Sequence, residues 1–374
     1  MIHDEMGVAL KRWILASGAA PGASAAIAAY RNGRWYQALG VAGTHTHDDS
    51  RPVTIDTLYD LASLTKPMVA ALVARLAERG ALAWDAPLGA LLPALRGSAS
   101  AAAPLSLLAS HRAGLVAHLR LGDAREGPPA DVWPWLARCA DARRDECRGE
   151  LPPEGFAPLY SDLGYILLGH VASEVTGVAL DVLLDREVCA PLAMEVASAR
   201  AFERRLGDAF RARVAATEVV AARGGELSGV VHDDNAWELV GRGLAGHAGA
   251  FGTARGVLSF ARAMLDALGG RSAGWLAPRT AGELTRERPG GSLLMGFDGK
   301  APSGSSAGSR FGARAFGHLG FTGTSLWCDP DQDIAVVLLT NRVSPSRDNI
   351  TIRSVRPDVH GELFGLAAGL LTGE

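Results

Sequence analysis

Lysine is almost missing from this chain. Of its 37 lysine and arginine residues only Lys11, Lys66 and Lys300 are lysines. Arginine fills most surface-charge roles but does not give up its proton, whereas a buried lysine shifts its pKa readily. A lysine kept among arginines therefore points to proton exchange. Cysteine is sparse as well: Cys139, Cys147, Cys189 and Cys328 form no Cys-x-x-Cys pair, so free thiols are expected rather than disulfides. The net charge of −3 gives no reason to expect nucleic acid or an anionic membrane as a partner. Long uncharged apolar segments are absent. Asp4 and Glu5 stand where a signal peptide would be basic, and Gly18, Pro21 and Gly22 break the first apolar run. These absences predict no signal peptide, no membrane span and a cytoplasmic location.

What is present is an ordinary globular composition. With 374 residues, 48% of them hydrophobic and 21% charged, the chain can bury a full core. One large domain or two interlocked ones are expected.

The stretch that organises the chain is Leu58-Tyr59-Asp60-Leu61-Ala62-Ser63-Leu64-Thr65-Lys66-Pro67, which holds the only Ser-x-x-Lys. Leu64, Met68, Leu72 and Leu76 recur at helical spacing up to Gly80. Positions three apart share a helix face, so the Ser63 hydroxyl and the Lys66 amine can meet. Near a helix N-terminus, Ser63 would also find free N–H groups that favour developing negative charge.

Around this stretch the pattern reads as follows. Residues 4–17 form an amphipathic helix with Val8, Ile14 and Leu15 on its apolar side, ended by Gly18. Ala23–Tyr30 and Arg34–Gly40 flank Asn32-Gly33, a strong hairpin signal. A polar loop follows over 41–57. From Ser63 to about Arg213 the chain is rich in Ala, Leu and Arg with helical periods. One of those helices is Leu163–Val175, started by Ser161 or Asp162 and stopped by Gly177. Residues 220–250 are irregular. Thr253 caps a helix to about Leu268, and Ser292–Ser309 is a loose Gly/Ser segment. Phe311–His318, Thr324–Trp327 and Ile334–Thr340 read as strands, and a last helix starts near Pro357. Strands, a helical block, strands and a terminal helix predict an α/β (α+β) fold with an antiparallel sheet. Residues 1–60 and 245–374 would form the sheet domain, residues 61–244 an inserted helical domain, with the active site between them.

A serine nucleophile needs a base, a proton route and an oxyanion site. Tyr160-Ser161-Asp162 precedes a helix, and a tyrosine there can relay a proton if Lys66 supplies positive charge to lower its pKa. His318-Leu319-Gly320-Phe321-Thr322-Gly323-Thr324 lies where strand signals meet glycines, which permit close approach of a ligand or another backbone.

Together the three pieces resemble the serine β-lactamase and penicillin-binding protein-like superfamily, on the side of the class C β-lactamases, D-aminopeptidases and β-lactamase-like carboxylesterases. Ser63-Leu64-Thr65-Lys66 is similar to its Ser-x-x-Lys motif, Tyr160-Ser161-Asp162 to Tyr-x-Asn, and His318-Leu319-Gly320 to Lys-Thr-Gly or His-x-Gly. Supporting stretches are Ser110-His111-Arg112-Ala113-Gly114-Leu115, Gly246-His247-Ala248-Gly249-Ala250-Phe251 and Leu339-Thr340-Asn341-Arg342. The resemblance implies a sheet flanked by helices, a helical domain and a site between them. It implies that Ser63 attacks a carbonyl, that Lys66 and Tyr160 share its proton, and that the N–H groups of Ser63 and Phe321 form the oxyanion hole. Asp162, His318 and Gly320 would line the substrate. No cofactor and no metal are implied.

Two residues depart from the family pattern: Asp162 replaces the usual Asn, and His318 replaces the lysine of the lactamases. With less positive charge in the third motif, neutral short esters are expected to be turned over better than penicillins. The expected function is thus a serine hydrolase acting through an acyl-enzyme on small esters or amides, or on short D-amino-acid peptides. The alternatives are a β-lactamase or DD-peptidase, or a binding or sensor protein that is acylated without turnover. The oligomeric state is open.

Rival signals are weaker. Gly304-Ser305-Ser306-Ala307-Gly308 matches Gly-x-Ser-x-Gly but lacks the flanking strand and helix that motif requires, so a loop overhanging the substrate is expected. His45-Thr46-His47-Asp48-Asp49 and His232-Asp233-Asp234 lack a third spaced ligand set and read as loops.

Overall fold

The computed structural model describes residues 2–48, 50–122, 128–271 and 274–370. Its centre is a six-stranded sheet. Strands β1 (Gly22–Arg31) and β2 (Arg34–Gly43) form the hairpin, with Asn32 at φ 52° and Gly33 at φ 80° in the turn. Two successive left-handed residues are what a tight hairpin needs, and Asn-Gly supplies them at least cost. The remaining strands are β3 (Asp298–Gly299), β4 (Phe316–Leu319), β5 (Ser325–Asp329) and β6 (Ile334–Thr340). Their order is β2-β1-β6-β5-β4-β3, antiparallel throughout, with Ala23 opposite Thr340 and Leu326 opposite His318. The first hairpin thus pairs with the late strands, as expected.

Both faces of the sheet are buried, which is why Ala23–Ala29 is apolar except for Ser24, itself buried. Ala25, Ile27, Val336 and Leu338 face a core shared with α1 (Ile2–Leu10) and the terminal helix. Ala26, Ala28, Val337 and Leu339 face the other way, into a core that continues through α2 (Thr65–Glu78), α3 (Asp162–Thr176) and α4 (Ala254–Leu268). Side chains alternate across a strand, so the two sets separate cleanly. A second, three-stranded sheet of Tyr59–Asp60, Ala250–Gly252 and Val196–Ser198 ties the segment before Ser63 to that after His247. No single helix among the described residues is long and apolar enough to cross a membrane.

Thr253 caps α4 as expected, accepting from Gly256 N–H, and Gly177 ends α3 in the left-handed region. Other boundaries moved. The N-terminal α-helix stops at Leu10 and continues as a wider π-turn to Leu15, with Ile14 buried but Val8 exposed. Residues 311–315 are not strand, because Gly312 N–H donates to the Asp329 carboxylate at 2.7 Å, a side-chain bond that replaces the ladder. The Gly/Ser segment contains the short edge strand β3. The irregular 220–250 region contains a helix, Asp234–Val240, capped by Asp233. The last helix, α5 (Ile352–Gly369), begins five residues before Pro357, which sits inside it; Asn349 Oδ1 accepts from Thr351 N–H and turns the chain into the helix early. The loop around Ser306 does not overhang a substrate site. Ala307 is buried among the outer-face residues, and Ser306 O accepts from His360 Nδ1 at 2.6 Å.

Candidate active site

Ser63 lies in a single 3₁₀ turn, Ala62–Leu64, immediately before α2. Ala62 is held at φ 47°, a conformation that costs an ordinary residue roughly 1–3 kcal/mol and persists only where neighbours enforce it. Here Asp60 Oδ1 accepts from Ala62 N–H at 2.8 Å, and Thr65 Oγ1 donates to Ala62 O at 2.7 Å. Asp60 is itself fixed by His232 N–H, 2.8 Å from Oδ2. The serine is therefore presented by a strained, over-determined turn.

Lys66, one helical position beyond Thr65, is fully buried. Its Nζ lies 2.8 Å from Ser63 Oγ, 2.7 Å from Asp162 Oδ1 and 3.3 Å from His247 O. These three acceptors and the Tyr160 hydroxyl surround the ammonium. Burial alone would depress its pKa, but the Asp162 carboxylate and the Tyr160 phenol outweigh burial and hold it above its ordinary value. Asp162 mirrors this. Burial pushes its carboxyl up; Lys66, His118 and His247 outweigh that and hold it far below the usual range. Both shifts describe one ion pair whose charged form is favoured.

Tyr160 reaches Ser63 and Lys66 through its hydroxyl, and the Lys66 ammonium lies 4.8 Å from its ring centre. Its pKa is raised: burial exceeds the lowering by Lys66. Lys66 does supply the lowering charge that a proton relay through Tyr160 needs, but the low-dielectric cost of a phenolate is the larger effect. The helix cap is Ser161, whose Oγ accepts from Leu163 N–H at 3.3 Å, and not Asp162. That leaves the Asp162 carboxylate free to face Lys66. His111 underlies the segment, accepting from Ser161 N–H at 3.1 Å with its ring 4.8 Å from that of Tyr160.

His318 is buried on β4, its Nδ1–H donating to Leu319 O at 2.8 Å. Burial, with Lys66 nearby, lowers its pKa to about 3, so it is neutral at physiological pH. Gly320 explains the close approach that follows. A Cβ there would lie 1.9 Å from Thr324 Oγ1 and 2.6 Å from Leu61 O. Without one, Thr322 Oγ1 donates to Asp60 O at 2.7 Å and Thr324 Oγ1 to Leu61 O at 3.0 Å. The third motif is thereby stapled to the backbone leading into Ser63.

Ser63, Tyr160, Asp162, His318, Gly320 and Phe321 all border one cleft of about 610 Å3, and Lys66 lies behind it. The fold thus brings the expected site residues to one place. It adds residues that were not: His118, 3.7 Å from Asp162 Oδ2; Asp298, whose carboxyl is raised to about 6 by burial; and Arg347, Arg353 and Arg356. Only their position in three dimensions marks them, apart from the repeated arginines after Asn341.

The rival motifs resolve as structural contacts. His45 Nε2 meets Thr57 Oγ1 at 3.1 Å, while Asp49 lies outside the described residues. His232 Nε2 meets Glu218 at 2.8 Å, and Asp233 accepts from His247 Nε2 at 2.8 Å. Among the described residues no cluster could hold a metal ion. All four cysteines are buried free thiols.

The family model described as Beta-lactamase matches residues 10–358, and the chain belongs to that family. A Salmonella heidelberg protein named "Putative D-alanyl-D-alanine carboxypeptidase" is 28% identical over 203 residues, covering 50% of this chain and 46% of that protein. The match thus spans about half the length of that relative. A class C beta lactamase from Rhodobacter sphaeroides is 21% identical with a TM-score of 0.68, covering 96% of this chain and 99% of that one. The D-amino acid amidase from Ochrobactrum anthropi SV3, also 21% identical, has a TM-score of 0.66 and covers 100% and 99%. At these identities the two structures establish a shared fold.

Proposed function

We propose that this chain is a serine hydrolase that acts through an acyl-enzyme on small esters or amides, short D-amino-acid peptides included. The observation that carries this reading is the 2.8 Å contact between Lys66 Nζ and Ser63 Oγ, in an ammonium also bonded to Asp162 and to His247 O. Membership of the Beta-lactamase family supports it.

In this reading Ser63 Oγ attacks the substrate carbonyl. The resting ammonium has no lone pair, so the phenolate form of Tyr160 accepts the serine proton, and Lys66 stabilises the charge as it moves. The carbonyl oxygen, now negative, lies against the N–H groups of Ser63 and Phe321; loss of one such donor typically costs about 10²–10³ in rate. Collapse breaks the bond to the leaving group, which takes the proton back through Tyr160. Water then repeats the sequence on the acyl-enzyme. Because both Lys66 and Tyr160 hold their protons at neutral pH, the reactive form is a minority species.

Turnover of p-nitrophenyl acetate tests the assignment. Ser63→Ala abolishes both turnover and fluorophosphonate labelling, while Ser306→Ala keeps both. Labelling lost in Ser306→Ala and retained in Ser63→Ala would overturn it. A single-equivalent burst followed by persistent acylation would favour the acylated sensor instead.

A further inference from the structure

His232 touches both walls of the oxyanion site. One wall is the turn that carries Ser63. His232 N–H donates to Asp60 Oδ2 at 2.8 Å, and Asp60 Oδ1 accepts at 2.8 Å from the N–H of Ala62, the residue before Ser63. The other wall is the segment after β4, where Phe321 stands between Gly320 and Gly323. There the His232 imidazole stacks on the Phe321 ring, with centroids 5.7 Å apart and planes 21° from parallel. Both residues border the cleft.

The Phe321 ring is 49% exposed, and an exposed side chain ordinarily hops between rotamers. This one is gripped. The Arg342 guanidinium lies 4.4 Å from its centre, and Arg342 Nε donates to Phe321 O at 2.7 Å. Stacking and cation–π contact both favour a fixed ring orientation. The buried imidazole is held in turn: its Nε2 meets Glu218 Oε2 at 2.8 Å, and Arg347 Nε donates to the same oxygen at 2.6 Å. Phe321 N–H donates to no group among the described residues. It is left available for a substrate oxygen, with the ring and the carbonyl of its own residue as anchors.

We propose that His232 is a positioning residue: through the Phe321 ring it holds the Phe321 N–H in place against the Ser63 turn, so that both oxyanion donors meet one substrate oxygen. This rests on the hydrolase reading and deepens it, giving the His232-Asp233-Asp234 loop a task in the reaction. A double-mutant cycle tests it. His232→Gln removes the imidazole and keeps an amide that can donate to Glu218. Phe321→Ala removes the partner ring and keeps the backbone N–H. Each is expected to lower kcat/KM for p-nitrophenyl acetate by about 10²-fold, the scale of a misplaced reacting group. The double variant is expected to be no slower than the slower single, because each change removes the same contact. His232→Phe restores a ring and is expected to recover most of the activity lost in His232→Gln. Binding of 2,2,2-trifluoroacetophenone, read by calorimetry, follows the oxyanion site without turnover. Ser63 Oγ bonds its carbonyl carbon, the hydroxyl proton passes to the Tyr160 phenolate, and the carbonyl oxygen becomes the oxyanion. Its affinity is expected to fall in both singles and no further in the double. Phe321 is exposed, so its variant stays informative if a His232 variant fails to fold. Losses that multiply in the double variant, or unchanged kcat/KM and ketone affinity in Phe321→Ala, would overturn the role. Ketone binding that weakens non-additively through the cycle, with no ester turned over by wild type, would instead sink the hydrolase reading and leave the positioning role standing.

Discussion

The Asp162 carboxylate sits 2.7 Å from Lys66 Nζ at the first position of α3, while the preceding Ser161 does the capping. The electrostatic role and the helix-starting role, which one residue might have combined, are divided between neighbours. This division separates their effects experimentally.

Asp162→Asn removes the charge that holds Lys66 protonated and leaves the cap intact. Asp162 also raises the Tyr160 phenol, so with its charge gone the phenolate forms more readily and the alkaline-side rise of kcat/KM is expected to move to lower pH. A pH–rate profile on p-nitrophenyl acetate reads this, and an unmoved rise at normal rate would show that the Asp162 charge does not govern that limb. Because the Asp162 pKa is depressed in the folded state, its contribution to stability is present above about pH 4 and lost as pH falls below that. The variant is therefore expected to lose stability at neutral pH and to differ less from wild type in acid.

Gly320→Ala places a Cβ into Thr324 Oγ1 and Leu61 O. Backbone cannot yield there without parting the third motif from the turn that presents Ser63. A stability loss of about 1–3 kcal/mol is expected from overpacking. Misplacement of the oxyanion donors is expected to cut kcat/KM by about 10²-fold. Urea unfolding and ester kinetics together check this; full activity in a destabilised variant would show that the stapling does not position the site.

Acid stability depends on neutral buried histidines. Burial lowers His111, His318 and His360 to about 3 each. Unfolded, they take up protons below about pH 6.5; folded, they resist until near pH 3. Their contribution is therefore complete above about pH 6.5 and is lost as pH falls from there toward 3. His360 is the cleanest test. It lies away from the cleft, its Nδ1–H donating to Ser306 O and its Nε2 accepting from Ser325 Oγ at 2.8 Å. In His360→Asn the urea midpoint is expected to fall less steeply between pH 7 and pH 4 than in wild type. Equal slopes would mean that His360 does not couple folding to protons.

The sequence by itself determined the local features. The Asn32-Gly33 turn, the Thr253 cap, the Gly177 stop and the 63–66 spacing are each decided by residues a few positions apart, through turn conformation, capping and helical period. Gly320 could be read as a point of close approach for the same reason: only a missing Cβ fits. Tertiary structure decided what burial and long-range charge control. Whether Lys66 is charged depends on Asp162, almost a hundred positions away, against the cost of desolvation. The direction of the Tyr160 shift was decided by burial, which has no signature in a three-residue motif. The start of α5 depends on a turn at Asn349 that Pro357 outshone in the sequence. The arginine end of the cleft is assembled from β6 and α5, and arginine is the common cation throughout this chain. Spacing could not distinguish those that pair with a carboxylate, as Arg347 does with Glu218, from those that bond backbone carbonyls, as Arg342 does.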